Sequence, residues 1–361
     1  TVEVLTSDTT LTTDALTGPG DRITARGPLV NGTQVFNVRA STANDLTSPR
    51  LFTINGAAGF SNELIVDHSN GLMFSPFDFQ AGDGTDILSV VGDTGAGGNG
   101  ISTSEYLPNF NTAGAGEILV DGRTTDFTGI VPDMFDRVTG ANNVPNGASE
   151  FVRVSNLLDF ALITPRSHDE IDVLSAAPVV ADPANIGTPL ALSNGMYASG
   201  ISDAGLGLDQ IPAILINRTD NVTFLLDEED SFNAGDRFQL LDSNGTAPVI
   251  GVGTTANGDL ENLTVVLGNG NDRFFTNEDS YRMPVTDGNN PGTSRFFVSG
   301  GSATDVIAAE TDATRFVLRD SSVDMSIEVA ATVTDLEFLN LSTNNTQDSL
   351  PDPFNATVED Y

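Results

Sequence analysis

Apolar positions along this chain come in short bursts and never settle into a sustained 3.6-residue rhythm. Runs such as Thr33–Val38, Glu63–Val66, Ile87–Val91, Glu117–Val120, Ile171–Leu174, Val222–Leu226, Arg237–Leu241, Leu263–Leu267, Arg295–Val298 and Leu336–Leu341 recur from end to end. Each spans about 4–6 residues, the usual length of a strand, and most are followed at once by Gly, Asp or Asn. Residues 2–5, 213–216, 314–318 and 325–329 read the same way. Several runs, Leu263-Thr-Val-Val-Leu267 among them, are nearly continuous in apolar character. Strands of that kind are buried on both faces, as in parallel sheets. The pattern predicts an all-β protein, an elongated parallel β-helix or β-solenoid with loop excursions. Two β-sandwich domains are the alternative.

Helical signals are few. Ser155–Ile163 has a capping Ser or Asn and an apolar face, and predicts a two-turn helix. The stretch 178–207, rich in Gly, Pro, Ala and Ser, predicts a long excursion or a connection between subdomains. A Gly- and Asn-rich segment at 139–147 suggests a division into an N-terminal β domain, 1–145, and a C-terminal β-solenoid domain, 146–361. The tail Leu350-Pro-Asp-Pro-Phe-Asn355 should be extended, because proline disfavours both helix and ladder.

Composition sharpens this picture. The chain has 361 residues, with 36 Gly and 17 Pro, and turn-forming Thr, Asn, Asp and Ser throughout. Fifteen Lys plus Arg face fifty Asp plus Glu, a formal charge of −35. That excludes ordinary nucleic-acid binding, which needs cations to neutralise phosphates. It opposes docking on anionic membranes, and favours divalent cations and cationic partners. Cys and Trp are absent, which removes disulfides, thiol chemistry and Cys-ligated metals. No apolar run approaches the ~20 residues of a membrane-spanning helix. The chain starts at Thr1, read here as a mature or trimmed chain from which any signal peptide has been removed.

The clearest motif is a Gly-rich turn ending in Asp and followed by an apolar strand. It occurs at Ala81-Gly-Asp-Gly-Thr-Asp86, at Leu267-Gly-Asn-Gly-Asn-Asp272 and at Gly300-Gly-Ser-Ala-Thr-Asp305. Glycine allows positive φ and a sharp turn, while Asp or Asn oxygens either cap the turn's amides or bind Ca²⁺. Asp83, Asp86, Asn269, Asn271, Asp272 and Asp305 are therefore the candidate metal ligands. These segments resemble the nonapeptide G-G-x-G-x-D-x-U-x of RTX, or haemolysin-type, calcium-binding repeats, each with one glycine replaced. In RTX proteins the nonapeptides follow one another and each Ca²⁺ sits between successive turns. Here every copy stands alone and offers half a site. Amide capping is favoured at any single copy, with at least one Ca²⁺ expected for the chain as a whole.

A broader resemblance covers residues 51–135 and 212–345. Leu51-Phe-Thr-Ile-Asn-Gly56, Gly116-Glu-Ile-Leu-Val-Asp-Gly122 and Val333-Thr-Asp-Leu-Glu-Phe-Leu-Asn-Leu341 look like the Thr/Gly/Asp-rich β-solenoid segments of large bacterial cell-surface proteins. That resemblance implies an adhesin, a coat or a matrix component, secreted and held at the cell surface.

The remaining candidates read as ordinary. Asp227-Glu-Glu-Asp230 is a solvated acidic loop. His68 and His168 are read as exposed loop histidines, since neither lies in a metal-binding spacing. No G-x-S-x-G elbow, phosphate loop or dinucleotide fingerprint is present. The few basic residues, such as Arg123, Arg137, Arg153 and Arg166, are scattered singly. The 21 Phe read as core filling. The chain is expected not to be an enzyme, but a structural subunit of an extracellular filament, sheath or surface layer. It would assemble with copies of itself end to end by β-strand addition through strand 1–5 and the tail. An adhesin or carbohydrate-binding module for surface glycans is the alternative, and a β-helix polysaccharide-active enzyme the third reading.

Overall fold

The computed structural model describes residues 2–4, 12–13, 23–25, 29–30, 32–40, 51–69, 71–73, 75–84, 86–93, 102–109, 112–130, 150–164, 169–176, 179–182, 185–191, 195–202, 209–226, 236–241, 262–267, 273–277, 295–299, 306–311, 316–319, 322–325, 329–334 and 338–343. Among these the protein is all-β, with no helix. Twenty-five of its strands join into one curled, open sheet, and two more form a separate hairpin.

Three ladders of parallel strands make up the sheet. The first is Ile23–Ala25, Phe52–Asn55, Phe77–Gln80 and Arg123–Thr128. The second runs Thr33–Ala40, Ser61–Asp67, Asp86–Val91, Phe151–Thr164 and Asp209–Leu226. It continues through Asn262–Val266, Arg295–Ser299 and Val329–Thr334. The third is Glu170–Ala176, Arg237–Leu241, Arg273–Asn277, Val306–Thr311 and Phe338–Thr343. Antiparallel insertions interrupt the ladders. One is the meander Thr103–Pro108, Gly116–Val120, Arg123–Thr128. Another, Gly195–Ser202, lies between Glu170–Ala176 and Asp209–Leu226. The predicted excursion at 178–207 thus contains strands, including the hairpin of Val179–Asp182 with Asn185–Ala191.

Like residues stack on like because the parallel register is exact. Phe52 pairs with Phe77, and Ile54 with Phe79, which pairs with Phe127. The rings of Phe52 and Phe77 stack at 5.5 Å, and those of Phe238 and Phe274 at 5.7 Å. All but Phe52, at 9 %, are at most 1 % exposed. Each buried ring contributes roughly 1.5–3 kcal/mol, so the expected filling of the core by phenylalanine holds for these residues. Phe60, at a turn tip, is 46 % exposed.

The predicted helix at 155–163 is instead part of the strand Phe151–Thr164. Its Asn156 adopts φ +56°, a left-handed conformation that Asn tolerates. The resulting kink breaks the two-residue alternation, so the buried positions fall at Val152, Val154, Leu157, Phe160 and Leu162. Spacings of three in that series imitate a helical face. The segment around the suggested division at 145 lies outside the described residues. Phe151–Thr164, which follows that segment, pairs directly with Asp86–Val91 from before it.

Candidate functional site

The first Gly/Asp turn meets an earlier turn of the chain at one corner of the sheet. Residues 56–60 lie against residues 81–84 so closely that a Cβ on Gly56 would collide with the Ala81 carbonyl. One on Gly84 would collide with the Phe60 carbonyl. Only glycine permits this approach. Asn62 sits at the centre and is fully buried. Its Nδ2 donates to the carbonyls of Phe60 at 3.0 Å and Ala81 at 2.9 Å, and its Oδ1 accepts the Ala57 amide at 2.9 Å.

Both candidate ligands of this motif are engaged with amides of the neighbouring turn. Asp83 accepts the Gly59 amide at 2.5 Å. Asp86 is the register partner of Asn62. Its Oδ1 accepts both the backbone amide and the side-chain Nδ2 of Asn62, each at 2.7 Å. Among the described residues Asp86 Oδ2 is buried with no hydrogen-bond partner. Burial pushes the Asp86 carboxyl above its usual range, the hydrogen bonds from Asn62 and from the Gly84 backbone oppose the rise, and the charge of Asp83 adds to it. The oxygens present fit amide capping. A Ca²⁺ ion needs about 6–8 oxygens, of which these two residues supply Asp86 Oδ2 and what Asp83 has to spare. Among the described residues no group of three or more His, Cys, Asp or Glu is arranged to hold a metal.

The same arrangement recurs in the third ladder. Asp236 precedes Arg237, whose register partner is Glu170. Its buried Oδ1 accepts the amide of Asp169 at 2.6 Å. Asn269, Asn271, Asp272 and Asp305 lie outside the described residues. In the sequence Asp272 immediately precedes Arg273 and Asp305 precedes Val306, the residues next in register after Arg237.

Two polar clusters escaped the sequence reading. His68, expected to be exposed, is 1 % exposed. Its Nδ1 accepts the Met73 amide at 3.0 Å, so the neutral ring carries its proton on Nε2, which is buried and, among the described residues, has no hydrogen-bond partner. Burial lowers its pKa to about 4, opposed by the charges of Asp121 and Asp93 and aided slightly by Arg123. His168 lies outside the described residues, as does the acidic run 227–230. The second cluster is a buried ion pair between Arg153 and Glu63, with Nη2 and Oε1 3.4 Å apart. Ser89 donates to the same Glu63 oxygen at 3.2 Å. Burial raises the Glu63 pKa, against the lowering effects of Arg153 and Ser89. The single signal in the sequence was a lone Arg and a lone Glu inside apolar runs. Tyr106 is wholly buried against Phe127.

No protein-family model matches the chain, and no curated protein or solved structure gives a significant match.

Proposed function

We propose that this protein is a structural subunit of an extracellular filament, sheath or surface layer, and that its curled sheet is a β-solenoid whose ends join copies of the chain. The observation that supports this reading is the parallel, in-register stacking within three ladders, one of which ends on an edge strand. Phe338–Thr343 pairs with Val306–Thr311 and, among the described residues, with no other strand. Such an edge is a template for another chain. At the opposite end the expectation of a free first strand needs adjusting. Val2–Val4 pairs antiparallel with Val38–Ala40 of its own chain through three residue pairs. A contact that small exchanges readily, so addition of the strand to the next copy replaces one short ladder by another. The acidic surface would be stabilised by Ca²⁺, with the Gly/Asp turns as the places where ions gather.

Electron microscopy of the purified chain in millimolar Ca²⁺, and again in EGTA, tests this. Regular polymers in Ca²⁺ that dissolve in EGTA support both parts of the reading. Polymers in both conditions keep the assembly and remove the ion. Isolated particles in both at high protein concentration refute the structural role.

A further inference from the structure

One face of the sheet points outward across eight neighbouring strands, from Phe77–Gln80 through the meander and the second ladder to Arg295–Ser299. A single row of register partners crosses it. At one end the row holds Asp78, Asp126 and Glu117, on adjacent strands about 4.8 Å apart. Leu107 follows as the partner of Glu117. One residue beyond the Tyr106–Leu162 pair comes Ile163, which pairs with Leu225, which pairs with Val266. All seven are partly or fully exposed. One row over, Ala161 and Phe297 are partly exposed as well. The run Leu263–Leu267, read from sequence as buried on both faces, therefore buries Leu263, Val265 and Leu267 and turns Val266 outward.

Two features of this face are unfavourable in water, and they adjoin. Four partly exposed aliphatic side chains line up as an apolar stripe, Ile163, Leu225 and Val266 in register and Leu107 one residue past the last paired position of its strand, and contiguous apolar surface of this kind marks interaction sites. Beside it, like charges stand directly opposite one another on paired strands, which is destabilising. The Asp126 carboxyl lies above the usual range through partial desolvation first, then the charges of Glu117 and Asp78. One class of partner relieves both. Its apolar side chains cover the stripe, and its cations sit over the carboxylates. A second copy of this chain fits poorly, because fifty acidic residues outnumber fifteen basic ones and would bring carboxylate against carboxylate.

We infer that this face docks a basic, amphipathic polypeptide, with Lys or Arg over Asp78, Asp126 and Glu117 and apolar side chains over Leu107, Ile163, Leu225 and Val266. The inference is independent of end-to-end assembly, since the row runs along the sheet and stops short of Phe338–Thr343.

The test uses the full chain at physiological ionic strength and two fluorescent probes, a peptide of alternating Leu and Lys and an oligolysine of equal charge. General attraction to an acidic protein acts on both probes alike, so the difference between them reports the stripe. The alternating peptide should bind about tenfold more tightly. Ile163→Thr with Leu225→Thr, both outward-facing, should abolish that difference and leave the oligolysine affinity unchanged. Glu117→Gln with Asp126→Asn, which alters charge and hardly alters shape, should weaken the alternating peptide several-fold. Equal affinities of the two probes for the unaltered protein would overturn the inference. So would double variants that bind as the unaltered protein does. Concentration-dependent self-association that the Thr pair removes would also overturn it, by making a second copy the occupant.

Discussion

Acidification should destabilise this protein through His68, by an amount set by how deeply the ring is buried. Well above pH 6.5 the imidazole is neutral in both the folded and unfolded chain, and the residue imposes no pH dependence. Between pH 6.5 and about 4 the unfolded chain takes up a proton that the folded chain refuses. The unfolded state then binds more protons, and stability falls as the pH falls. Below about 4 both states are protonated and the loss is complete. A displacement from 6.5 to about 4 corresponds to about 3.5 kcal/mol at about 1.4 kcal/mol per pH unit, of which about 3 kcal/mol is lost by pH 4. The structural event is specific. Protonated Nδ1 becomes a donor and can no longer accept the Met73 amide, so the turn that follows His68 loses its anchor. Buried carboxyls act in the opposite sense. Glu63, whose pKa is raised, binds protons preferentially in the folded state, so its contribution grows as the pH falls. The His68 effect is therefore read as a difference. Urea unfolding followed by far-UV circular dichroism, from pH 7 to pH 4, should cost the unaltered protein about 3 kcal/mol more than His68→Gln. Proton NMR of the His68 ring should give a midpoint near 4. Parallel stability curves for the two proteins, or a ring that titrates near 6.5, would refute the reasoning.

Asn62→Ala should cost about 2–4 kcal/mol, since it takes the Nδ2 donor from the buried Ala81 carbonyl and from Asp86 Oδ1; a loss under about 1 kcal/mol by chemical denaturation would mean that water enters. Glu63→Leu alone should cost about 3–5 kcal/mol because it takes the Glu63 carboxylate from the buried Arg153 guanidinium, while Glu63→Leu with Arg153→Met should restore most of the stability. Equal losses in the single and double variants, measured by thermal unfolding, would contradict that account. Asp86→Asn keeps an oxygen for the Asn62 amide and should change stability in EGTA by less than about 1 kcal/mol. If Ca²⁺ binds at this turn, the same substitution should remove any rise in melting temperature that Ca²⁺ produces, and an undiminished rise would move the ion elsewhere.

The sequence carried the secondary structure because that information is local. Arg237–Leu241 was read with its observed ends, and most other runs lie within two residues of the strands that form, for the plain reason that turn residues punctuate them. Thr103–Pro108 was missed because its outward positions, Thr103 and Glu105 among them, are polar and dilute the strand signal. The helix read at 155–163 failed because a left-handed Asn156 shifts the period of burial. At the candidate site, Asp83 and Asp86 were legible as turn residues with two uses, and the distances to Gly59 and Asn62 show amide capping in both.

What the sequence determined by itself was the class of structure: bursts of apolar residues between glycine-rich turns can satisfy their backbone groups only in sheets, and thirty-five uncompensated negative charges dictate which partners are tolerable. What only the tertiary structure decided was which residues stand side by side. Glu63 and Arg153 are 90 residues apart in sequence and 3.4 Å apart in space. His68 lies in a polar stretch of sequence and is buried. Asp78, Asp126 and Glu117 form one row although a hairpin reverses the chain between the last two. Neighbours across a ladder are fixed by register, and register is set by the summed fit of many side chains over the whole sheet, which no short stretch of sequence contains.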